Sequence, residues 1–392
     1  MNKICMQNKK VSIVIPCLNE EHTLPIVIKK AINSMERLDI YGEVIVADNG
    51  STDNSVKAAI DNGARVVHCQ QKGYGSALSC GFDNANSEYV IMGDADDSYN
   101  FEEIDDFIKY LNKGYDFVIG TRLKGSIEMG AMPVMHRYIG TPILTFIINL
   151  FFKTKISDCN CGMRGLKKES FERLKLEATG MEFASEMIVK AGIMKLKIKE
   201  IPITLYPDKR NVEPHLHTWR DGWRHLRFIL LFSPTYLFMI PGLFLLLLGF
   251  AFMIPAFLSV FGITGKVIYF HRTLLGGLLT ILGYQMINMG LYAKAVVYAR
   301  YKELRKYSNF IEIFYNHFTL ERGVMLGILI IFIGGIIDTI VFVEWKSAGF
   351  GALSKTGEIS TASTFIIIGF QTIFSACLLS ILNIRNKWIA GK

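Results

Sequence analysis

The chain has 392 residues, of which 51% are hydrophobic, and its formal net charge is +8. A chain of this length is expected to form two domains. The positive charge is compatible with nucleic acid, anionic lipid or phosphate-bearing substrates. The sequence has no zinc-finger pattern and no basic stretch interleaved with aromatic residues, which argues against nucleic acid. The seven cysteines lack zinc-site spacing, and we expect them to be reduced thiols in a cytosolic location.

The first half of the chain alternates strand-like and helix-like segments. Five short runs are β-branched and apolar on both faces, at 11–16, 43–48, 64–68, 89–94 and 116–121. Helical patterns lie between them, near 22–37, 53–61, 75–86 and 102–112. This alternation predicts an α/β domain whose mainly parallel sheet is covered by helices. Ligands of such sheets bind at the carboxyl ends of the strands.

Two of these strands end in residues suited to a nucleotide. Asn19 and Glu20 follow the first strand, and Asp48 and Asn49 follow the second. Carboxylate and amide groups can hydrogen-bond to a base edge or a ribose hydroxyl. An ordinary strand–turn–helix junction would explain the helix-capping Ser51, but it would not explain an acid at the strand end.

The stretch QKGYGSA at 71–77 supplies Lys72 and Gly73 where a helix begins. A glycine-containing helix start suits a phosphate or a sugar. The stretch is not a dinucleotide-binding fingerprint, because it lacks the third glycine and does not follow the first strand.

The stretch YVIMGDADDSY at 89–99 places three acids, Asp94, Asp96 and Asp97, after a buried strand. An uncompensated carboxylate is costly there, so a metal ion or a basic side chain is expected beside it. Asp94 and Asp96 together can hold a hard divalent ion, Mn²⁺ or Mg²⁺, that also binds substrate phosphates. The alternative is a helix N-terminus enriched in acids, which the helix dipole favours.

The second half of the chain is a membrane domain by composition. Four segments are long and apolar enough to span a bilayer, at about 235–259, 273–298, 323–343 and 363–383. Five basic residues occupy the loop at 299–322 and three the tail, against two in each of the other loops. This bias predicts that the loop at 299–322, the tail and the N-terminal domain lie on the cytoplasmic side of the plasma membrane. We therefore expect a domain at 1–228 and a transmembrane domain at 229–392, with no N-terminal signal peptide.

Two segments of the first domain favour contact with the membrane surface. The stretch at 219–232 places basic residues among tryptophans just before the first span, which is typical of an interfacial anchor. The stretch at 137–155 is short for a span and has polar flanks, so we interpret it as an amphipathic interfacial helix.

Taken in order, the motifs VIPCLNEE, VADNGSTD, KGYGSAL, GDADD and GTR resemble the GT-A inverting nucleotide-sugar glycosyltransferases of family 2. The motifs HRYIGTP, SDCNCGMRGLKKE, GMEFASEM and TWRDGWRHLRF are similar to those of the branch that transfers a sugar to a polyprenyl phosphate, the dolichyl-phosphate mannose or glucose synthases. The resemblance covers roughly residues 10–230. It implies a GT-A fold and a nucleotide-sugar donor.

The resemblance also assigns residues. The nucleotide and sugar contacts that it implies are Pro16, Asn19, Glu20, Asp48, Lys72 and Arg164. It makes Asp94 and Asp96 the metal-binding pair and makes Arg122 and Arg137 the clamps of the donor and lipid phosphates. It places Glu182 and Glu186 near the acceptor.

The sequence departs from the mannose-synthase pattern in two places. Ser98 stands where relatives carry a glutamine, which implies a weaker or water-mediated metal contact if that glutamine is a ligand. Pro214 and His215 replace a Ser-Lys pair, so His215, His217 or Lys209 is left to take the place of the phosphate-steadying lysine.

The expected reaction is inverting hexose transfer from a nucleotide sugar, of the UDP-glucose or GDP-mannose class, to a membrane polyprenyl phosphate. Two alternatives remain at this point: a processive polysaccharide synthase, whose Gln-x-x-Arg-Trp motif is absent from the sequence, and a non-enzymatic scaffold or transporter. The sequence does not choose the sugar, the base or the oligomeric state.

Overall fold

The computed structural model describes residues 11–209, 218–260, 270–300, 318–352 and 355–390. The chain forms two compact units, Met1–Leu231 and Phe232–Lys392. The first unit contains a sheet, and the second is built from long helices.

The sheet of the first unit has seven strands in the order β3-β2-β1-β4-β6-β5-β7. Strand β6 runs antiparallel to both of its neighbours, and the other pairs are parallel. The mainly parallel sheet predicted from the sequence is therefore confirmed, although β6 and β7 were not foreseen. The strands are β1 (Val11–Cys17), β2 (Gly42–Asp48), β3 (Arg65–His68), β4 (Tyr89–Met92), β5 (Phe117–Ile127), β6 (Arg164–Lys167) and β7 (Ile198–Leu205).

Helices cover the sheet, and the four that the sequence predicts are present within a few residues of the expected bounds. A 3₁₀ turn at Phe101–Glu103 precedes the fourth, and a π-helical turn at His136–Gly140 precedes the fifth. The helices are α1 (Leu24–Arg37), α2 (Ser55–Asp61), α3 (Tyr74–Asp83), α4 (Asp105–Asn112), α5 (Thr141–Phe152), α6 (Lys168–Leu174), α7 (Phe183–Ile193) and α8 (Thr218–Leu231).

The core explains why these segments take these forms. Helix α1 buries residues spaced by three and four, which places them on one face: Leu24, Val27, Ile28, Ala31 and Met35. That face packs with buried β-branched residues of β1 and β2 in one apolar cluster. The central strands are apolar on both faces because helices lie on both sides of the sheet.

The register of the sheet brings four strand ends to one edge. Cys17 of β1 lies opposite Asp48 of β2, and Asp48 lies opposite His68 of β3. Val14 of β1 lies opposite Met92 of β4. The loops that follow β1, β2, β3 and β4 therefore begin side by side.

The expectation of reduced thiols is wrong for one pair of cysteines. Cys69 and Cys80 form a disulfide, with their Cα atoms 6.0 Å apart. Helix α3 folds back along the loop after β3 and so brings the two side chains together. In the described part of the chain Cys17, Cys159, Cys161 and Cys377 are free thiols.

The second unit contains four helices that are long and apolar enough to cross a membrane, by length and composition, among the described residues. These segments are Thr235–Val260, His271–Ala299, Leu320–Ser347 and Thr356–Leu382, close to the four predicted spans. The helices themselves are α9 (Ile240–Val260), α10 (Phe270–Arg300), α11 (Leu320–Ser347) and α12 (Thr356–Ala390). Five of the twelve basic residues that set the predicted orientation lie outside the described residues: Lys266, Lys302, Arg305, Lys306 and Lys392.

Glycines bring these helices into close contact. A Cβ atom on Gly249 of α9 would lie 2.7 Å from the carbonyl oxygen of Gly276 on α10. Gly327 of α11 and Gly369 of α12 face each other in the same way, with 2.7 Å from each hypothetical Cβ to the other's carbonyl oxygen. Close backbone approach at small residues is how membrane helices gain packing energy without a hydrophobic driving force.

Candidate active site

The loops after β1 and β2 are joined by side-chain hydrogen bonds. Asn19, whose φ is 59°, accepts from the backbone N–H of Thr52 at 2.8 Å. The backbone N–H of Glu20 donates to the Ser55 hydroxyl at 2.8 Å, and the buried Glu20 carboxylate accepts from Thr23 at 3.2 Å. Asn19 and Glu20 therefore shape the loop edge at which a nucleotide is expected. The third member of this group, Pro16, is half-buried within β1.

Asp48 is buried at the end of β2. Its carboxylate accepts from the backbone N–H groups of Ser51 at 3.0 Å and Gly50 at 3.3 Å, and it lies 3.1 Å from Nδ1 of His68. Burial alone would raise the pKa of Asp48, but the hydrogen bonds from Ser51, His68 and Gly50 outweigh it and lower that pKa. Asp48 is therefore an ionised acceptor at neutral pH.

Asn49 is engaged by the neighbouring loop. Its Oδ1 atom accepts from the backbone N–H of Gly73 at 2.7 Å, and its Nδ2 atom donates to the carbonyl of Gln71 at 2.8 Å. The ammonium group of Lys72 donates to the Asn49 carbonyl at 2.7 Å. The interpretation of Asn49 as a base-pairing group therefore needs correction, because both ends of its amide already hold the loop at 71–73.

The start of α3 does not present its N–H groups to a phosphate, contrary to the sequence interpretation. The N–H groups of Gly75 and Ser76 donate to the carbonyl of Thr179, at 2.9 and 3.2 Å. Gly73 has a φ of 127°, and a Cβ atom there would lie 2.2 Å from the same carbonyl oxygen. The glycines of this motif are required because another segment of the chain packs directly against it.

The three acids after β4 have different partners. Oδ1 of Asp94 accepts from the Tyr74 hydroxyl at 2.8 Å, and Oδ1 of Asp96 accepts from the backbone N–H of Ser98 at 3.0 Å. Asp97 is fully buried and forms ion pairs with two lysines. Burial and the charge of Asp94 raise the pKa of Tyr74 well above its usual range, so Tyr74 is a neutral donor.

The carboxylate oxygens of Asp94 and Asp96 are the type of ligand that a hard divalent ion prefers. Among the described residues no group of three or more His, Cys, Asp or Glu side chains could hold a metal. Two carboxylates suit an ion that completes its coordination with water and substrate phosphates, and they do not suit an all-protein cage.

A cavity of about 510 Å³ is lined in part by Asp94, the first acid of this pair. Its wall carries the side chains of Asp94 and Arg122 and many apolar side chains from the segment at 132–147. Several further lining residues were not singled out from the sequence as site residues: Tyr74, Tyr99, His136, Asn160, Trp223 and His225. All six lie inside stretches that the sequence analysis singled out, and this position within a motif was the signal that could have identified them.

Arg122 is anchored at the cavity wall by Asp158. Its Nε and Nη2 atoms donate to the two carboxylate oxygens at 2.7 and 2.9 Å. Burial would raise the pKa of Asp158, but the Arg122 charge and hydrogen bonds outweigh it and lower that pKa. Burial and the same guanidinium lower the pKa of His136 on this wall. A bidentate pair of this kind fixes the direction in which the guanidinium faces the cavity.

The other two predicted arginines lie elsewhere. The Arg137 guanidinium stacks over the Tyr138 ring at 5.4 Å, and Arg137 is not among the described residues that line the cavity. Arg164 is wholly buried, and its guanidinium donates to the carbonyls of Cys159, Cys161 and Ala184. Burial lowers the pKa of Arg164. Arg164 is therefore a structural residue that ties β6 to α7, and the interpretation of a sugar contact needs correction.

The two predicted acceptor-side glutamates belong to helix α7 and its start. Glu186 is fully buried, pairs with Lys190 at 2.7 Å, and accepts from the N–H groups of Glu177 and Ala178. It supports the segment at 175–179 and does not line the cavity, so an acceptor contact needs correction. Glu182 precedes the helix, and its buried Oε2 atom has no hydrogen-bond partner in the described part of the chain. His215 lies outside the described residues.

Residues 12–175 match the family described as glycosyl transferase family 2, and residues 293–383 match its C-terminal transmembrane region. The low-salt glycan biosynthesis hexosyltransferase Agl6 of Haloferax volcanii is 37% identical over 374 residues, which cover 95% of this chain and 89% of the relative. The chain belongs to glycosyltransferase family 2. A second relative, the glycosyltransferase AglJ of the same organism, is 32% identical over 54% of this chain and 68% of its own length.

Part of this family 2 glycosyltransferase is similar to solved structures. Glucosyl-3-phosphoglycerate synthase of Mycobacterium tuberculosis, solved with Mn²⁺, uridine diphosphate and glucosyl-3-phosphoglycerate, is 20% identical and covers 57% of this chain and 80% of its own, with a TM-score of 0.46. The same enzyme with phosphoglyceric acid gives a TM-score of 0.47. The family assignment rests on the sequence matches and not on these values.

Family membership makes the protein an enzyme and sets aside the non-enzymatic alternative. The match to the transmembrane region, together with the four apolar helices, makes it a membrane protein.

Proposed function

We propose that this enzyme transfers a hexose, with inversion, from a nucleotide-diphosphate sugar to the phosphate of a membrane polyprenyl phosphate. The product would be a polyprenyl-phosphate sugar for glycan or cell-envelope assembly. The observation that carries the proposal is the cavity. Its lining combines the charged groups of Asp94 and Arg122 with apolar side chains such as Ile139, Leu144 and Leu226. A phosphate attached to a prenyl chain needs both kinds of surface.

The relatives support the hexosyl part of the proposal. Agl6, the relative from Haloferax volcanii, is a hexosyltransferase of low-salt glycan biosynthesis. The choice between a UDP-glucose and a GDP-mannose class of donor stays open. We assign the nucleotide to the strand-end edge formed by Pro16, Asn19, Glu20 and Asp48, with Lys72 beside it.

The donor diphosphate is assigned to Asp94 and Asp96 with Mn²⁺ or Mg²⁺. When bound, the ion supplies Lewis-acid stabilisation of the leaving diphosphate. The chain's own contribution is to fix the two carboxylates, Asp94 through the Tyr74 hydroxyl and Asp96 through the Ser98 N–H.

The acceptor needs little activation. A phosphate monoester has a second pKa of about 6, so it is mostly a dianion at neutral pH and needs no strong general base. Arg122, held by Asp158, offers a fixed positive charge at the cavity wall. Arg137 would assist from outside the cavity. Positioning and charge then account for catalysis, and a single in-line displacement gives inversion.

We place the enzyme in the plasma membrane with the catalytic unit in the cytoplasm. The support is the bias of basic residues in the sequence. Helix α5 supports the contact with a membrane itself, because its exposed side chains form an apolar stripe at helical spacing: Ile143, Phe146 and Leu150. We assign this stripe to the bilayer surface.

The test of the function is transfer from a panel of radiolabelled nucleotide sugars to polyprenyl phosphate, with Mn²⁺ or Mg²⁺. The full-length enzyme is expected to label lipid from one donor, which would also name the sugar. Labelled polymer without labelled lipid would instead support a processive synthase. Absence of both products from every donor contradicts the proposal.

The membrane contact of α5 makes a separate prediction. In nanodiscs, a spin label at Phe146→Cys is expected to collide more often with oxygen than with a water-soluble nickel complex, because oxygen concentrates in the acyl region. Phe146 is 65% exposed. A label at Ile60→Cys, a position 59% exposed on α2, is the matched control and should show the opposite preference. Equal accessibility at both positions would rule out the contact. The other accessible cysteines are replaced by serine.

A further inference from the structure

The turn after β4 carries a third acid that the proposed reaction does not use. The Asp97 side chain has no exposed surface, and its backbone φ is 61°. One carboxylate oxygen accepts from Lys30 of α1 and the other from Lys209, both at 2.6 Å. Lys30 lies on α1 and Lys209 follows β7, so the two lysines come from distant parts of the sequence. A buried carboxylate with two ammonium partners has its charge compensated within the protein.

The backbone of the same turn is joined to the segment after β7. The Lys209 N–H donates to the Asp96 carbonyl at 3.4 Å, and the Tyr206 N–H donates to the Ser98 carbonyl at 2.9 Å. Tyr99 forms an isolated antiparallel bridge with Leu205. The turn that presents Asp96 is therefore held to the segment after β7 by main-chain hydrogen bonds, and the Asp97 side chain also links it to α1.

We propose that Asp97 is a positioning residue, which with Lys30 and Lys209 fixes the turn that presents Asp96 for the divalent ion. The inference rests on the proposed function, since it assumes that Asp94 and Asp96 bind that ion. Charge-assisted hydrogen bonds are the strong ones, so two of them on one side chain restrict the backbone that carries it. The two ammonium groups also offset the mutual repulsion of three carboxylates within four residues.

The test is Mn²⁺ binding to the full-length protein in detergent, followed by electron paramagnetic resonance, with UDP or GDP present as probe. Asp97→Asn keeps the size of the side chain and removes its charge, and it is expected to raise the Kd for Mn²⁺ by about 10-fold, as loss of an outer-shell partner does. Lys30→Met and Lys209→Met should each cause a smaller rise. Lys29→Met, an exposed lysine on the same helix, is the matched control and should leave the Kd unchanged.

A triple variant separates positioning from stability. Asp97→Asn with Lys30→Met and Lys209→Met removes all three charges, so its Tm should recover relative to Asp97→Asn while Mn²⁺ binding stays weak. If the triple variant recovered both the Tm and the Mn²⁺ affinity of the wild type, the inference would be overturned. Unchanged Mn²⁺ binding by Asp97→Asn would overturn it as well. A wild-type protein that binds no Mn²⁺ with either nucleotide would overturn the metal part of the proposed function together with this inference. Unchanged binding by the variant overturns this inference alone.

Discussion

Asp94→Asn and Asp96→Asn are each expected to lower the initial rate of sugar transfer by at least about 100-fold, since an ion that stabilises a leaving diphosphate supplies several kcal/mol. Asparagine keeps the hydrogen bonds to these side chains, because its Oδ1 atom can still accept from Tyr74 at position 94 and from the Ser98 N–H at position 96. The substitutions therefore remove charge with little change of shape. The rate is measured with saturating polyprenyl phosphate over a range of Mn²⁺ concentrations.

The matched control for the acid pair is Asp106→Asn. Asp106 is half-exposed on α4 and pairs with Lys109 at 2.9 Å, so its loss removes one surface ion pair and no more. Transfer by this variant should equal that of the wild type. If Asp96→Asn kept the wild-type rate at every Mn²⁺ concentration, the assignment of the acid pair would be wrong.

The sequence predicted those parts of the fold that leave a periodic signal. Strands β1, β2, β4 and β5 contain short apolar runs, and α1 repeats its apolar residues every three or four positions. The four apolar helices of the second unit follow from length and composition alone. Strands β6 and β7 were not predicted, because neither has an uninterrupted apolar pattern. Arg164–Lys167 contains two basic residues and a glycine, and Ile198–Leu205 contains a lysine, a glutamate and a proline.

The candidate site was predicted in outline and corrected in detail. The positions of Asp48, Asp94 and Asp96 at strand ends follow from the rule for parallel sheets. The partners of charged residues could not be predicted, because they come from distant segments. Arg164 uses its donors on three carbonyls, and Glu186 meets a lysine one helical turn away in a fully buried environment. A sequence motif does not distinguish a charged side chain that supports the fold from one that binds substrate.

The stability of the loop at 71–77, where α3 begins, depends on a buried ion pair that lies outside the cavity. The side chains of Glu186 and Lys190 are almost completely buried, at 1% and 0% exposure, and lie 2.7 Å apart. Glu186 also accepts from the N–H groups of Glu177 and Ala178, which lead to Thr179. The Thr179 carbonyl in turn caps the start of α3. Loss of Glu186 should therefore weaken both the core and the nucleotide-side loop.

Glu186→Ala is expected to lower the free energy of unfolding of the first unit by about 3–5 kcal/mol, because it leaves the buried Lys190 charge without its carboxylate. Pulse proteolysis of the full-length protein in urea measures this change. The double variant Glu186→Leu with Lys190→Met removes the uncompensated charge and should be more stable than Glu186→Ala. It should remain less stable than the wild type, since the N–H groups of Glu177 and Ala178 still lose their acceptor. If Glu186→Gln unfolded like the wild type but raised the KM for polyprenyl phosphate alone, Glu186 would contact the acceptor, and its assignment to the core would be wrong.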